Sequence, residues 1–329
     1  MIDLKTTYMG LNLKSPVIAG SSGITNSVKQ IKQLEEAGVG AVVLKSLFEE
    51  QIQLEIKNML SSSEQNNTYP EAGDYIRAYT RSNTLGKYLE FVKEVKAAVS
   101  IPIIASINCM SASDWTDFAA DIEAAGADGL ELNIYELPVD RSISADSYDK
   151  KYIDILRMVK RKVKIPVSVK IGPNFSNLIR VVDQLHANGA AAVVLFNKFY
   201  TPDFDLDQLE FTSSEVLSTP HDLYAGLRWT GIVKGKLPVV QLAASTGIHD
   251  GAGAVKQLLA GAQVVQLCSA FYLHGPAIVG EIHHFIDAFM KQWRFTSVDE
   301  FRARMSYKNI GSPAVYERAQ FMKYFSNHD

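Results

Sequence analysis

Residues 238–270 read PVVQLAASTGIHDGAGAVKQLLAGAQVVQLCSA, and their punctuation decides the fold. An apolar run opens on Pro238, a helix follows from Asp250, and a second apolar run opens behind Gly261. Proline is tolerated at the first residue of a strand, where its missing N–H is not needed. Glycine just past a helix end supplies the left-handed cap from which the chain turns into the next strand.

Outward from this block the two openings alternate through the whole chain. Prolines start PVIAG at Pro16, PIIASIN at Pro102 and PVSVKI at Pro166, while glycines start GVGAVVLKS at Gly38, GADGLELN at Gly126 and GAAAVVLFN at Gly189. Eight repeats of helix, cap and buried parallel strand predict an α/β fold, a (β/α)₈ TIM barrel, with its chemistry on the loops that follow the strands. The expected strands are 16–20, 41–45, 102–107, 128–133, 166–171, 191–196, 238–243 and 263–268, rich in Val, Ile and Leu with little alternation because both faces are covered. Helices are expected at about 27–37, 84–99, 113–125, 147–162, 175–188, 221–235, 251–260 and 276–290, the third capped by Ser113 or Ser111.

A length of 329 residues fits one such domain over 1–329 with two embellishments. One is an insertion at about 46–83, whose first part reads as helical and whose SSSEQNN reads as an exposed bend; long loops of this kind are often functional. The other is a C-terminal extension at about 291–329, rich in aromatic and basic residues, expected either to fold back on the barrel or to pack on a partner subunit. The composition, 47% hydrophobic and 21% charged, is that of an ordinary globular protein, and a formal charge of -3 gives no general attraction to nucleic acid or anionic membranes. No signal peptide, membrane span or metal-type cysteine pattern is read from the chain, and Cys109 and Cys268 fit a reducing cytoplasm.

Each strand delivers particular residues to its C-terminal rim. Strand 1 ends in Ala19-Gly20-Ser21, small residues that let a flat ligand approach the backbone. Strand 2 ends in Lys45, strand 4 in Glu131 and Asn133, strand 5 in Lys170 and strand 6 in Asn197. A rim lysine suits a Schiff base, an anionic substrate or the electron-rich edge of a flavin, and a solvated strand end is the bland alternative. Thr246-Gly247 and Ser269-Ala270, after strands 7 and 8, offer clustered N–H groups of the kind that bind phosphate in this fold, with His249 beside them as a structural or phosphate-edge residue.

The segments NLKSPVIAGSSG, GAVVLKS, GLELN, VSVK and STGIHDGAGAVKQLLAGAQVVQLCSAFYLHGPAI together resemble the dihydroorotate dehydrogenase family, in particular its soluble class 1 members and the related domain of dihydropyrimidine dehydrogenase. The resemblance covers roughly residues 1–290 and implies FMN as cofactor and oxidation of a CH–CH bond. It implies a ring lying along Ala19, Gly20 and Ser21, Lys45 near ring and substrate, and Asn133 touching both. It places Lys170 at the N1/O2 edge, Asn197 on the substrate, and the phosphate on Thr246, Gly247, Ser269 and Ala270. It also implies a homodimer, and a separate electron-transfer partner if NAD is the acceptor; fumarate is a direct alternative.

The chain departs from the family where the substrate would sit. ELNIYELP puts Glu136 where the cysteine base is expected and Pro138 where a substrate asparagine is expected. Glu136 is the alternative base and Tyr135 a second candidate. Two other readings stay open: a lyase or isomerase barrel using Lys45 or Lys170, and a flavin-binding relay subunit without its own turnover.

Overall fold

A computed structural model describes residues 3–63, 70–108, 112–199, 201–213 and 215–317. Eight parallel strands close a ring: Val17–Ala19, Val42–Val43, Ile103–Asn108, Gly129–Asn133, Val167–Ile171, Ala192–Leu195, Leu242–Ser245 and Val264–Leu267, numbered 1 to 8 below. Neighbours follow chain order, and Val265 of strand 8 paired with Val17 of strand 1 closes the circle. The four glycines that open the even-numbered repeats, Gly38, Gly126, Gly189 and Gly261, all have positive φ, as their capping role requires.

Three of the four prolines stand one residue ahead of a strand, but Pro238 does not. It lies in a turn whose carbonyls at Pro238 and Val240 accept hydrogen bonds from Lys234 Nζ, at 2.8 and 3.1 Å. Strand 7 therefore starts at Leu242, opposite Val193, four residues later than expected. Strand 2 is also interrupted: Val42–Val43 and Leu47–Phe48 pair separately with strand 3.

Alternation along the strands is real and sorts the core into two layers. Outward residues such as Val17, Ala19, Leu130, Leu132, Val167 and Val169 pack against the helices. Inward residues Ile18, Val43, Ile104, Val194, Ala243 and Val264 fill the base of the ring together with Tyr8, Met9 and Leu13. Those last three come from an antiparallel hairpin, Thr6–Tyr8 with Leu11–Leu13, that plugs the ring from below. Higher up, the inward positions turn polar: Ser106, Glu131, Ser168, Lys170, Ser245 and Gln266 are all buried.

The insertion is a helical hairpin, Glu49–Ser63 against Pro70–Ala98, so the helix expected from residue 84 begins fourteen residues earlier, at Pro70. Part of SSSEQNN lies outside the described residues, as do Ser111, Cys109 and the end of the chain. Ser113 stands inside the helix Ala112–Ala124 and does not cap it. The loop after strand 6 carries an unexpected hairpin, Pro202–Asp205 with Glu210–Ser213. The C-terminal extension folds back: Phe301 is buried, and Arg302 Nη2 donates to Thr6 Oγ1 at 2.8 Å, joining the tail to the base of the barrel.

Gly40 marks the tightest backbone approach between strands 1 and 2. A Cβ there would stand 2.1 Å from the Ser15 carbonyl oxygen, which is main chain and cannot swing away. Gly40→Ala is expected to cost about 3 kcal/mol in urea unfolding. Gly86→Ala, in the middle of a helix with no atom within 4 Å of the new methyl, is expected to be neutral or stabilising by about 1 kcal/mol.

Candidate active site

Two adjoining cavities open at the C-terminal end of the ring, of about 380 and 360 Å³, and they share Ser21, Lys170, Asn197 and Lys198. The first runs toward strands 7 and 8 and is lined by Ser245, Thr246, Gly247, Gln266, Cys268, Ser269 and Tyr272. The second faces strands 2 to 5 and is lined by Lys45, Ser46, Phe48, Asn108, Asn133, Tyr135 and Phe199.

Strand geometry explains this split of labour. Lys170 pairs in register with Asn133, so the two neighbouring rim residues stand at the same height. Asn197 closes the row from strand 6, its Nδ2 donating to Asn133 Oδ1 at 2.9 Å. Ser21, Ser46 and Ser106 form a hydroxyl chain with steps of 3.0 and 2.7 Å, which holds the end of strand 1 against strands 2 and 3. Gly20, behind Ser21, leaves no room for a side chain: a Cβ would meet Cys268 Sγ at 2.6 Å. Phe199 is seated in the same way, because a Cβ on Gly172 would stand 2.2 Å from its ring, and it packs on Tyr135 with centroids 4.2 Å apart.

The phosphate-type loop is built on two successive left-handed residues, Thr246 and Gly247. A Cβ on Gly247 would stand 2.1 Å from Leu223 N. Thr246 Oγ1 donates to Phe196 O at 3.0 Å. Ser218 ties the loop together: its hydroxyl accepts from Gly247 N at 3.2 Å and bonds His249 Nε2 at 3.0 Å, and its N–H donates to Ser269 Oγ at 2.9 Å. His249 is 7% exposed, and burial pushes its pKa down. It is a structural histidine behind the loop.

Beneath the cavities lies Glu131. Gln266 Nε2 donates to Glu131 Oε2 at 2.7 Å, from strand 8 to strand 4 across the ring. Burial raises the Glu131 pKa, and the Lys170 charge and the Gln266 hydrogen bond oppose that rise. Burial likewise pushes up the Cys268 thiol.

Of the residues singled out from sequence, Ser21, Lys45, Asn133, Lys170, Asn197, Thr246, Gly247 and Ser269 line the cavities. Ala19, Gly20 and Ala270 are buried and line neither cavity. Glu136 is not brought to either cavity: its Oε2 is held by Lys151 at 2.6 Å, whereas Tyr135, one residue earlier, points in. Sequence reading missed Asn108, although the same strand-end rule applied to strand 3 finds it. It also missed Lys198, whose Nζ lies 3.7 Å from Asp222 Oδ2, and the Val216–Ser218 wall, which is a tertiary arrangement without a local signal.

The cavities suit a flat ligand carrying a phosphate. Lys170, Gln266 and the Thr246-Gly247 turn line one cavity, Gly20 lets Cys268 and Gln266 pack close behind Ser21, and the buried Gln266 Oε1 is unpartnered. Among the described residues, no group of three or more His, Cys, Asp or Glu is placed to hold a metal, and no helix is long and apolar enough to cross a membrane.

Comparison with known proteins adds the lineage. The family model described as dihydroorotate dehydrogenase matches residues 3–206, more than half of the chain. A dihydroorotate dehydrogenase B (NAD(+)) catalytic subunit from Thermoplasma volcanium is 29% identical over 320 residues, covering 91% of this chain and 97% of the relative. The chloroplastic dihydropyrimidine dehydrogenase (NADP(+)) of Arabidopsis thaliana is 24% identical over 338 residues, covering 91% of this chain and 76% of the relative. A putative dihydroorotate dehydrogenase A (fumarate) from Aeropyrum pernix is 25% identical over 298 residues, with 85% and 90% covered.

His249 makes the site's stability pH-dependent. Its folded pKa lies below the unfolded value, so the unfolded chain binds the proton more readily as pH falls. The stabilisation is therefore complete above about pH 6.5 and is lost on acidification below it. His283, also depressed by burial, acts in the same direction. In the ligand-free protein, the fall in melting temperature from pH 7.5 to 5.5 is expected to shrink in His249→Asn without vanishing (roughly halved, two such histidines being present).

Proposed function

The chain belongs to the dihydroorotate dehydrogenase family, and we propose that it is an FMN-dependent oxidoreductase acting on a CH–CH bond of a small planar substrate, dihydroorotate or a related reduced pyrimidine or acid. One observation carries this reading: Lys170 is 5% exposed, stands where the two cavities meet, and faces both. When bound, FMN would supply a hydride acceptor at this junction.

The chain's own residues divide the work. Thr246, Gly247, Ser269 and the main chain at Ala270 would hold the phosphate, and Ala19, Gly20 and Ser21 would carry the ring. Lys170 offers a fixed positive charge at the ring edge, where preorganised charge is most effective in a water-poor site. Asn133 and Asn197, hydrogen-bonded to each other, orient the substrate with Asn108, and Lys45 meets its negative charge. Phe48, Tyr135 and Phe199 wall the substrate side against water. Tyr135 and Lys45, which line that side, would exchange the substrate's proton in the role that sequence reading gave to Glu136.

The reading extends to the assembly. A homodimer is supported by an exposed apolar group on the hairpin after strand 6, Phe204, Leu206, Leu209 and Phe211. Electrons would leave through a separate electron-transfer partner or a soluble acceptor. The low cysteine content fits a cytoplasmic setting.

Purified protein is expected to carry a flavin absorption band, and a panel of reduced pyrimidines is expected to bleach it anaerobically. A colourless protein that takes up no FMN would refute the proposal. Asn197→Ala should retain flavin and lose about 10- to 100-fold in kcat/KM. Lys170→Met should slow flavin reduction by about 10²-fold. Glu136→Gln should leave turnover within about twofold of wild type, its partner being the exposed Lys151.

A further inference from the structure

The roles assigned above leave unused the carboxylate at the centre of the ring. Glu131 is 1% exposed, and strand 8 reaches across the barrel to it through the 2.7 Å bond from Gln266. Its other oxygen, Oε1, has no hydrogen-bond partner, and neither does Gln266 Oε1. A carboxylate this deep is strongly disfavoured unless a cation faces it. Strand register supplies that cation. Glu131 pairs with Ser168, and Lys170 follows two residues further along the same strand, one layer nearer the mouth. Lys170 acts electrostatically on Glu131 from that layer and lines both cavities on its other side.

We propose that Glu131 is a positioning residue: braced across the barrel by Gln266, it is the buried counter-ion that anchors the Lys170 ammonium at the cavity floor and so sets the charge that a bound FMN ring meets. The inference rests on the flavin reading given above. Other titratable groups around the pair are Tyr8 from the basal hairpin, Cys268 from strand 8, and Lys45 and Lys198 across the cavities. None of them is a second carboxylate. Reduction adds negative charge to the ring, so the balance between Glu131 and Lys170 must be felt in the flavin's midpoint potential.

The test is a double-mutant cycle read by potentiometry of the FMN-loaded protein. Glu131→Gln keeps an amide opposite Gln266 and removes the charge. It is expected to raise the midpoint potential at neutral pH and to tighten sulfite binding to the flavin by about tenfold. In a Lys170→Met background the same substitution is expected to leave both values unchanged. Glu131→Asp, which draws the charge back by one methylene, should shift the potential the same way by less, and it serves should Glu131→Gln not fold. A potential that stays the same or falls, or an equal rise in the Lys170→Met background, overturns the inference. A wild-type protein that takes up no FMN overturns the proposed function itself, so the two failures are told apart by the first spectrum.

Discussion

A ring of eight strands has to be filled by its own inward side chains, and every other feature of this molecule follows from what fills it. Low in the ring the filling is apolar, and Ile18, Val43, Ile104 and Val264 meet the plug formed by Tyr8, Met9 and Leu13. One layer up it becomes polar, and polar atoms taken from water need partners. Glu131 Oε2 finds Gln266 while its Oε1 stays unpartnered under the Lys170 charge; Ser106 finds Ser46. The site is thus the top layer of the core rather than an addition to the surface. Its lysine and asparagines are held by the same packing that keeps the barrel closed.

Much of this was legible because it is written locally. A glycine after a helix and a proline before a strand act through their own backbone, so Gly38, Gly126, Gly189 and Gly261 announce the repeat wherever they fall. The rim residues Lys45, Asn133, Lys170 and Asn197 were equally readable, since a parallel strand delivers its last residue to the same end of the ring every time. Pro238 misled because a proline suits a turn as well as a strand start, and here Lys234 holds the turn by binding the carbonyls of Pro238 and Val240.

What was not legible depends on contacts between distant segments. Glu131 and Asn133 look alike as strand-end residues. Two steps along a strand are about 6.6 Å, one full layer, and that separates a buried carboxylate from a cavity-lining amide. Glu136 and Tyr135 are neighbours, yet Lys151 draws one outward while Phe199, seated over Gly172, draws the other in. No spacing within the loop encodes either partner. The aromatic wall of the second cavity is therefore a feature of the folded molecule that reading the loop alone could not supply.

The plug at the base has a consequence for traffic. With Tyr8, Met9 and Leu13 corking one end of the ring, the shared space above opens, among the described residues, at the other end. Whatever arrives to be changed and whatever leaves afterwards must use the same threshold. On the flavin reading proposed above, turnover in such a vessel is a queue rather than a through-flow: one visitor vacates before the next is served, and a bound flavin would be the memory that passes between them.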